Sequence, residues 1–129
     1  MLADTNVIAV LAVKDIEAAR GFYEGTLGLQ RAEWQSPDPT AVMYRSGSST
    51  VLVYQSQFAG SNQATAASWG AGNDLEAVVA ELKSKGVSFE HYDIPGSTRE
   101  GDVHVIGDLK VAWFKDPDGN ILNLVNQSI

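Results

Sequence analysis

The sequence predicts an α+β domain in which two βαβββ repeats form one half-open mixed β-barrel with the helices outside. One observation that favours this fold class is an internal repeat: the tetrapeptide DIEA at 15–18 recurs 59 residues later as DLEA at 74–77. A second observation is that each copy follows a strand pattern and opens a helix that ends at a glycine. Because neither half can close a core alone, we expect a single domain over 1–129, with repeats at about 5–56 and 65–127.

The first repeat contains one long strand, one helix and three shorter strands. The run VIAVLAV at 7–13 is continuously apolar, which is typical of a strand buried on both faces. Asp15 is a suitable N-cap for the helix that follows, and Gly28 ends that helix. Turn-rich segments separate three further predicted strands, at 29–34, 41–45 and 50–55.

The second repeat follows the same plan after an unpatterned linker at 56–65. A short strand is predicted at about 66–70, and Asn73 or Asp74 caps the next helix. Further strands are predicted at 87–92, 103–106, 110–115 and 121–126. The sequence DPDG at 116–119 places proline and glycine where a tight turn between the last two strands requires them.

The composition argues against several classes of protein. The chain contains no cysteine, so disulfides, thiolate metal sites and cysteine nucleophiles are excluded. Its formal net charge is −7 and its nine basic residues are scattered, which argues against a nucleic-acid partner. We find neither a signal peptide nor an apolar stretch near the roughly 20 residues that span a bilayer. We therefore expect a cytoplasmic protein that has no membrane partner.

Two segments resemble a known protein family. Residues 10–29 (VLAVKDIEAARGFYEGTLGL) resemble the opening of glyoxalase, bleomycin-resistance and extradiol-dioxygenase proteins, and residues 111–125 (VAWFKDPDGNILNLV) resemble their closing motif. The resemblance covers nearly the whole chain and implies the vicinal-oxygen-chelate fold. That superfamily contains lyases, isomerases, dioxygenases, transferases and pure binding proteins, so the resemblance implies the fold far more narrowly than the function.

The usual chemistry of the family depends on a divalent metal held by His and Glu side chains that point into the barrel. The resemblance puts the first ligand position, commonly His, at Ile8, and the position before the second helix, again commonly His, near Ala67. The last position, commonly Glu, falls at Asn123, and residues 50–54 on the fourth strand contain no carboxylate or imidazole. Every expected ligand is absent, and we therefore expect no metal and no other cofactor.

Alternation along the strands predicts which side chains line a pocket. If Ile8 and Asn123 face inward, the pocket floor is apolar with one amide, and that amide needs a partner: water, another side chain or a ligand. Trp69 shares its parity with Ala67 and is the leading aromatic candidate. The predicted ligand-binding residues are Ile8, Tyr44, Tyr54, Ala67, Trp69, Trp113 and Asn123. We assign no catalytic residue.

An acidic, aromatic and metal-free pocket would suit a planar aromatic or cationic molecule through stacking and cation–π contacts. We therefore predict a metal-independent protein that binds a small molecule, as bleomycin-resistance proteins do. The family also implies a homodimer in which sheets from two chains complete or adjoin each pocket.

Two alternatives stay open. One is a glyoxalase-like lyase, isomerase or dioxygenase that uses a divalent metal, and the other is a dimeric scaffold without a ligand. A non-standard metal site could draw on His91 and His104 with Glu90 or Asp93, of which only Asp93 shares a strand face with His91. We expect both histidines to lie instead at the surface, near the polar segment GSTREGD.

Overall fold

The computed structural model describes all 129 residues, and its backbone divides into two compact units, Met1–Asn62 and Gln63–Ile129. Each unit contains one mixed sheet and one principal helix. The predicted fold class, with its two repeats that each begin with a strand and a helix, is confirmed. No helix combines the length and apolar character that crossing a membrane requires.

The first unit follows the order strand, helix and three strands after a short 3-10 turn at Leu2–Asp4. Its strands are β1 (Ala9–Val13), β2 (Gln30–Arg31), β3 (Ala41–Ser46) and β4 (Ser49–Gln55). Helix α1 covers Ile16–Arg20 and continues as a π-helical segment over Gly21–Thr26. Asp15 caps α1 as predicted, because its Oδ1 accepts a 3.0 Å hydrogen bond from the backbone N–H of Glu17.

The sheet of the first unit has the strand order β1-β4-β3-β2, with β1 parallel to β4 and the other pairs antiparallel. β1 and β2 are its edges, so the sheet does not close on itself. One face packs on α1 and is buried; it carries Leu11, Val13, Val42, Tyr44, Val51 and Val53. The opposite face carries Val10, Ala12, Leu52 and Tyr54.

A hydrogen-bonded tyrosine joins α1 to the sheet. The ring of Tyr23 stacks on that of Tyr44 with 6.2 Å between centroids, and both side chains are fully buried. The Tyr44 hydroxyl donates a 2.8 Å hydrogen bond to Oε2 of Glu24, which also accepts a 3.0 Å bond from Nε of Arg20. Burial and the bond to the Glu24 carboxylate raise the pKa of Tyr44 far above its ordinary value. This cluster is part of the core of the first unit.

The second unit repeats the plan and has two more strands than the first. Its strands are β5 (Thr65–Gly70), β6 (Phe89–Glu90), β7 (Thr98–Glu100), β8 (Val103–Ile106), β9 (Leu109–Lys115) and β10 (Ile121–Val125). A 3-10 turn at Gly72–Asp74 precedes α2, which covers Leu75–Ser84; Asp74 occupies the N-cap position without a side-chain capping bond. The polar segment at 96–102 contains β7, which the sequence did not predict and which forms by pairing with β8.

The sheet of the second unit has the order β5-β10-β9-β8-β7, and β6 also pairs with β9. One face is apolar and buried, with Phe89, Ala112, Phe114, Leu122 and Leu124. Nζ of Lys110, whose side chain shares this face, lies 2.9 Å from Oε1 of Glu76, which places α2 over it. The parallel pairing of β5 with β10 contains a register shift between Ile121 and Leu122.

Candidate functional site

Four side chains of the second unit lie on one face of its sheet, opposite α2. The backbone pairs Asn123 of β10 with Trp113 of β9 and His104 of β8 with Val111 of β9, and Arg99 of β7 lies directly opposite His104. Residues paired across strands point to the same face, and so do residues two apart on one strand. We call Arg99, His104, Trp113 and Asn123 the polar row.

The polar row contains two buried polar atoms that have no hydrogen-bond partner, Nδ1 of His104 and Oδ1 of Asn123. His104 is only 1% exposed. The backbone N–H of Tyr92 donates a 2.9 Å hydrogen bond to its Nε2, so Nε2 carries no proton. The neutral imidazole then holds its proton on Nδ1, which is a donor without an acceptor. The row therefore offers one unsatisfied donor and one unsatisfied acceptor, and each costs about 1–3 kcal/mol while it stays unpaired.

Aromatic rings surround the imidazole. The ring of Trp113 meets that of His104 edge to face, with 4.9 Å between centroids and 82° between planes. Tyr92 meets Trp113 in the same manner at 5.3 Å. The indole N–H of Trp113 is already used, since it donates a 3.1 Å bond to Oγ1 of Thr65. Trp113 therefore offers its ring surface rather than a hydrogen bond.

A charged cluster fixes the neighbouring histidine. Asp102 accepts Nζ of Lys83 on one carboxylate oxygen and Nε2 of His91 on the other, both at 2.7 Å. These hydrogen bonds, that of Lys83 first and that of His91 second, lower the pKa of Asp102 despite its partial burial. The rings of His91 and His104 are 6.4 Å apart between centroids.

A cleft of about 360 Å³ opens beside the polar row. The chain segment from 92 to 99, together with His104, forms its wall: Tyr92, Asp93, Ile94, Pro95, Ser97, Thr98, Arg99 and His104. Its volume lies within the range of small-molecule sites, which is roughly 300–1,000 Å³. The cleft brings His104 and Arg99 of the polar row to one concave surface.

The structure unites only two of the predicted site residues. Trp113 and Asn123 are cross-strand partners and lie on one sheet face. Ala67 and Trp69, in contrast, pair with Leu122 and Leu124 and so lie on the α2 face. The expectation that they share a face with Asn123 is wrong, because the register of β5, which has an extra residue at Ala66, pairs Asn123 with Ser68.

The other three predicted site residues belong to the first unit. Tyr44 is buried on the α1 face and bonds Glu24, so the expectation that it points into a pocket is wrong. Tyr54 lies on the opposite face and is 38% exposed, while Ile8 precedes β1 and is 37% exposed. Their roles in ligand binding stay predictions.

Sequence reasoning missed His104. The expectation of a surface position is right for His91, whose side chain is 41% exposed, and wrong for His104. A signal was available, because His104 interrupts the otherwise apolar strand VHVI, where a histidine is commonly buried on one face. The pattern could not show that the segment after β6 would fold over that face.

The residues at the positions that the family uses for a metal do not fit one. Ile8 has only carbon in its side chain, and Asn123 contributes a single neutral amide. The two histidines are committed elsewhere, since Nε2 of His91 contacts Asp102 and Nε2 of His104 accepts the N–H of Tyr92. No three His, Asp or Glu side chains are grouped so that they could hold a metal ion.

Comparison with known proteins gives a family and a fold. The family described as Glyoxalase/Bleomycin resistance protein/Dioxygenase superfamily matches residues 6–124. No curated protein matches the chain.

Solved structures similar to this chain include a glyoxalase family protein from Enterococcus faecalis, with a TM-score of 0.69, 20% identity and coverage of 97% of this chain and 99% of that chain. A lactoylglutathione lyase from Agrobacterium tumefaciens has a TM-score of 0.67 and 16% identity, with coverage of 94% of this chain and 92% of that chain. The fosfomycin resistance protein FosX from Mesorhizobium loti has a TM-score of 0.67 and 12% identity, with coverage of 98% of this chain and 94% of that chain. At these identities the likeness shows the fold alone.

Proposed function

Because the chain belongs to the Glyoxalase/Bleomycin resistance protein/Dioxygenase superfamily, we propose that it binds a small organic molecule without a metal ion. The observation that carries this proposal is the pair of unpartnered buried atoms, Nδ1 of His104 and Oδ1 of Asn123, on one sheet face. A ligand that accepts one hydrogen bond and donates another would remove both penalties. A planar ring would pack on Trp113 between them.

An aromatic ligand is better supported than a cationic one. The net charge of −7 would attract a cation over long distances. At the polar row itself, however, Arg99 would repel a cation, and His104 offers a donor where a cation needs an acceptor. Stacking on Trp113 does not require the ligand to carry a charge.

The rival function is a lyase, isomerase or dioxygenase that uses a divalent metal. It has less support, because the side chains at Ile8 and Asn123 do not fit a metal and no alternative group of ligands is present. A binding protein needs only the shape and hydrogen bonds that the polar row offers. We therefore favour binding over catalysis.

A screen of aromatic compounds by thermal shift and calorimetry tests the proposal. For compounds that bind, Asn123→Leu should weaken affinity by about 5- to 150-fold, which corresponds to the loss of about 1–3 kcal/mol. Trp34→Phe is the matched control, because Trp34 is exposed on the first unit. Unchanged affinity in Asn123→Leu would show that the ligand binds elsewhere on the protein. A screen that finds no binder would favour a dimeric scaffold without a ligand.

We also propose a homodimer. The sheet face opposite α1 exposes apolar side chains, among them Val10 at 50% and Tyr54 at 38%, which a second copy would cover. Sedimentation at micromolar concentration should give a dimer mass, and Val10→Glu should lower it to that of a monomer. Val7→Glu is the control, because Val7 lies outside β1 and is almost fully exposed. A monomer mass for the unaltered protein would overturn the proposal.

A further inference from the structure

Two residues of the polar row on adjacent strands line the cleft, and each carries a hydrogen-bond donor. Arg99 and His104 are directly opposite on β7 and β8, so their side chains leave the sheet on the same face a few ångströms apart. Both line the cleft. The side chain of Arg99 is exposed and forms no ion pair or hydrogen bond within the chain. Its guanidinium is therefore available to a ligand.

The two donors differ in kind and complement each other. The imidazole is 99% buried, and with Nε2 accepting the N–H of Tyr92 its Nδ1–H has no acceptor in the protein. The guanidinium offers a planar fork of N–H groups that matches the two oxygens of a carboxylate. A carboxylate has enough lone pairs to accept from both groups at once.

We infer that the ligand of this site is an aromatic carboxylate, whose carboxylate group binds Arg99 and the Nδ1–H of His104 while its ring packs against Trp113 or Tyr92. The inference rests on the proposed function and specifies the chemistry of the ligand. The edge-to-face arrangement of Trp113 with both His104 and Tyr92 provides the aromatic surface next to these donors. The volume of about 360 Å³ accommodates one or two fused rings.

The acidic groups nearby do not cancel this preference. Asp102 is already paired with Lys83 and His91 at 2.7 Å each. Asp93 also lines the cleft and is exposed, as Arg99 is, so water screens both charges alike. The buried group without a partner among the residues that line the cleft is the Nδ1–H of His104, a donor that only an acceptor can satisfy.

Three matched compounds test the inference by calorimetry: 2-naphthoate, 2-naphthamide and 2-naphthamidine, which share a ring and differ in charge. We expect 2-naphthoate to bind at least tenfold more tightly than the neutral amide and the cationic amidine. Arg99→Gln should remove this preference while leaving the weaker binding of the amide unchanged. Arg45→Gln is the matched control, because Arg45 is an exposed arginine on β3 and its loss alters the net charge equally.

The other outcomes separate this inference from the proposed function. If the three compounds bind equally and Asn123→Leu weakens them all, the ligand site stands and the carboxylate inference is wrong. Tightest binding of the amidine, or its loss in Asp93→Asn, would assign a cationic ligand and overturn the inference. If none of the three binds while other aromatic compounds bind in an Asn123-dependent manner, the carboxylate inference also fails. If nothing binds, both proposals fail.

Discussion

Asp116 and Asn120 bond to each other through both backbone and side chain across the turn between β9 and β10. The N–H of Asn120 donates to Oδ1 of Asp116 at 2.8 Å, and its side-chain amide donates to Oδ2 at 2.7 Å. The N–H of Asp116 in turn donates to the carbonyl of Asn120 at 3.1 Å. Both residues are buried. The motif DPDGN therefore encodes a turn, which explains why it indicates the fold and says nothing about a ligand.

Asn120→Ala should lower the free energy of unfolding by about 1–3 kcal/mol, because it leaves the buried Asp116 carboxylate without one of its donors. Urea denaturation measures the change. Asp118→Asn is the control, since Asp118 contributes its backbone N–H to Asp116 and not its side chain. Equal losses in the two variants would contradict the role given to the Asn120 side chain.

Asn123→Leu should leave the free energy of unfolding unchanged or raise it, because Oδ1 of Asn123 is buried without a partner and leucine has the same branched arrangement of four side-chain heavy atoms. Asn126→Leu should instead cost about 1–3 kcal/mol. The Asn126 amide accepts from the N–H of Lys110 and donates to the carbonyl of Asp108, each at 2.9 Å. Thermal and urea unfolding of the pair test this contrast, and a similar loss in both would show that Asn123 has a structural partner.

Tyr44→Phe should cost about 1 kcal/mol of stability, because it removes the 2.8 Å hydrogen bond to Glu24 inside the core. Tyr54→Phe should change stability by less than about 0.5 kcal/mol, since Tyr54 lies on the exposed face. Urea unfolding compares the two. A neutral Tyr44→Phe would mean that the hydroxyl contributes nothing to the core.

The Lys83–Asp102–His91 cluster predicts a dependence of stability on pH. The pKa of Asp102 is lower in the folded chain than in an unfolded one, so its hydrogen bonds to Lys83 and His91 stabilise the protein above the ordinary carboxyl pKa, near 3.9. That contribution is lost as the pH falls through the lower folded pKa. Lys83→Gln should therefore cost up to about 1 kcal/mol at pH 7 and progressively less below about pH 4.

Urea unfolding of the unaltered protein and of Lys83→Gln between pH 7 and pH 2.5 measures the difference in their free energies of unfolding. Lys85→Gln serves as the control, because Nζ of Lys85 lies 3.7 Å from Oε1 of Glu81 in an exposed pair at the C-terminal end of α2. A deficit of Lys83→Gln that stayed constant down to pH 2.5 would show that Asp102 is not the group involved.

A chelator should leave the melting temperature unchanged, because the chain presents no cluster of metal ligands. A metal at 100 times its dissociation constant would contribute about 2.7 kcal/mol. Its removal would lower the melting temperature by several degrees in a domain of this size. Scanning calorimetry with and without EDTA measures the effect. A drop that zinc, nickel, manganese or iron reversed would favour the rival enzymatic function.

Local patterns were enough to predict the repeats, the cap at Asp15, the DPDG turn and the family. These features depend on a few adjacent residues, and each is confirmed. Which face a strand residue occupies was less predictable, as Trp69 and Tyr44 show, because it depends on register between distant strands. The burial of His104 depends on the segment that supplies the Tyr92 N–H, and no periodicity in the sequence reports that contact.

The register shift between Ile121 and Leu122 also decides where new chemistry could be introduced. A donor engineered beside Asn123 on the neighbouring strand would have to replace Ser68, its direct partner, and a histidine at Ala67 would enter the apolar layer under α2. The extra residue at this shift is Ala66 of β5, which lies between Thr65, the partner of Ile121, and Ala67, the partner of Leu122. Deleting Ala66 would keep both of these pairings, so it would straighten β5 without moving Trp69 out of the apolar layer.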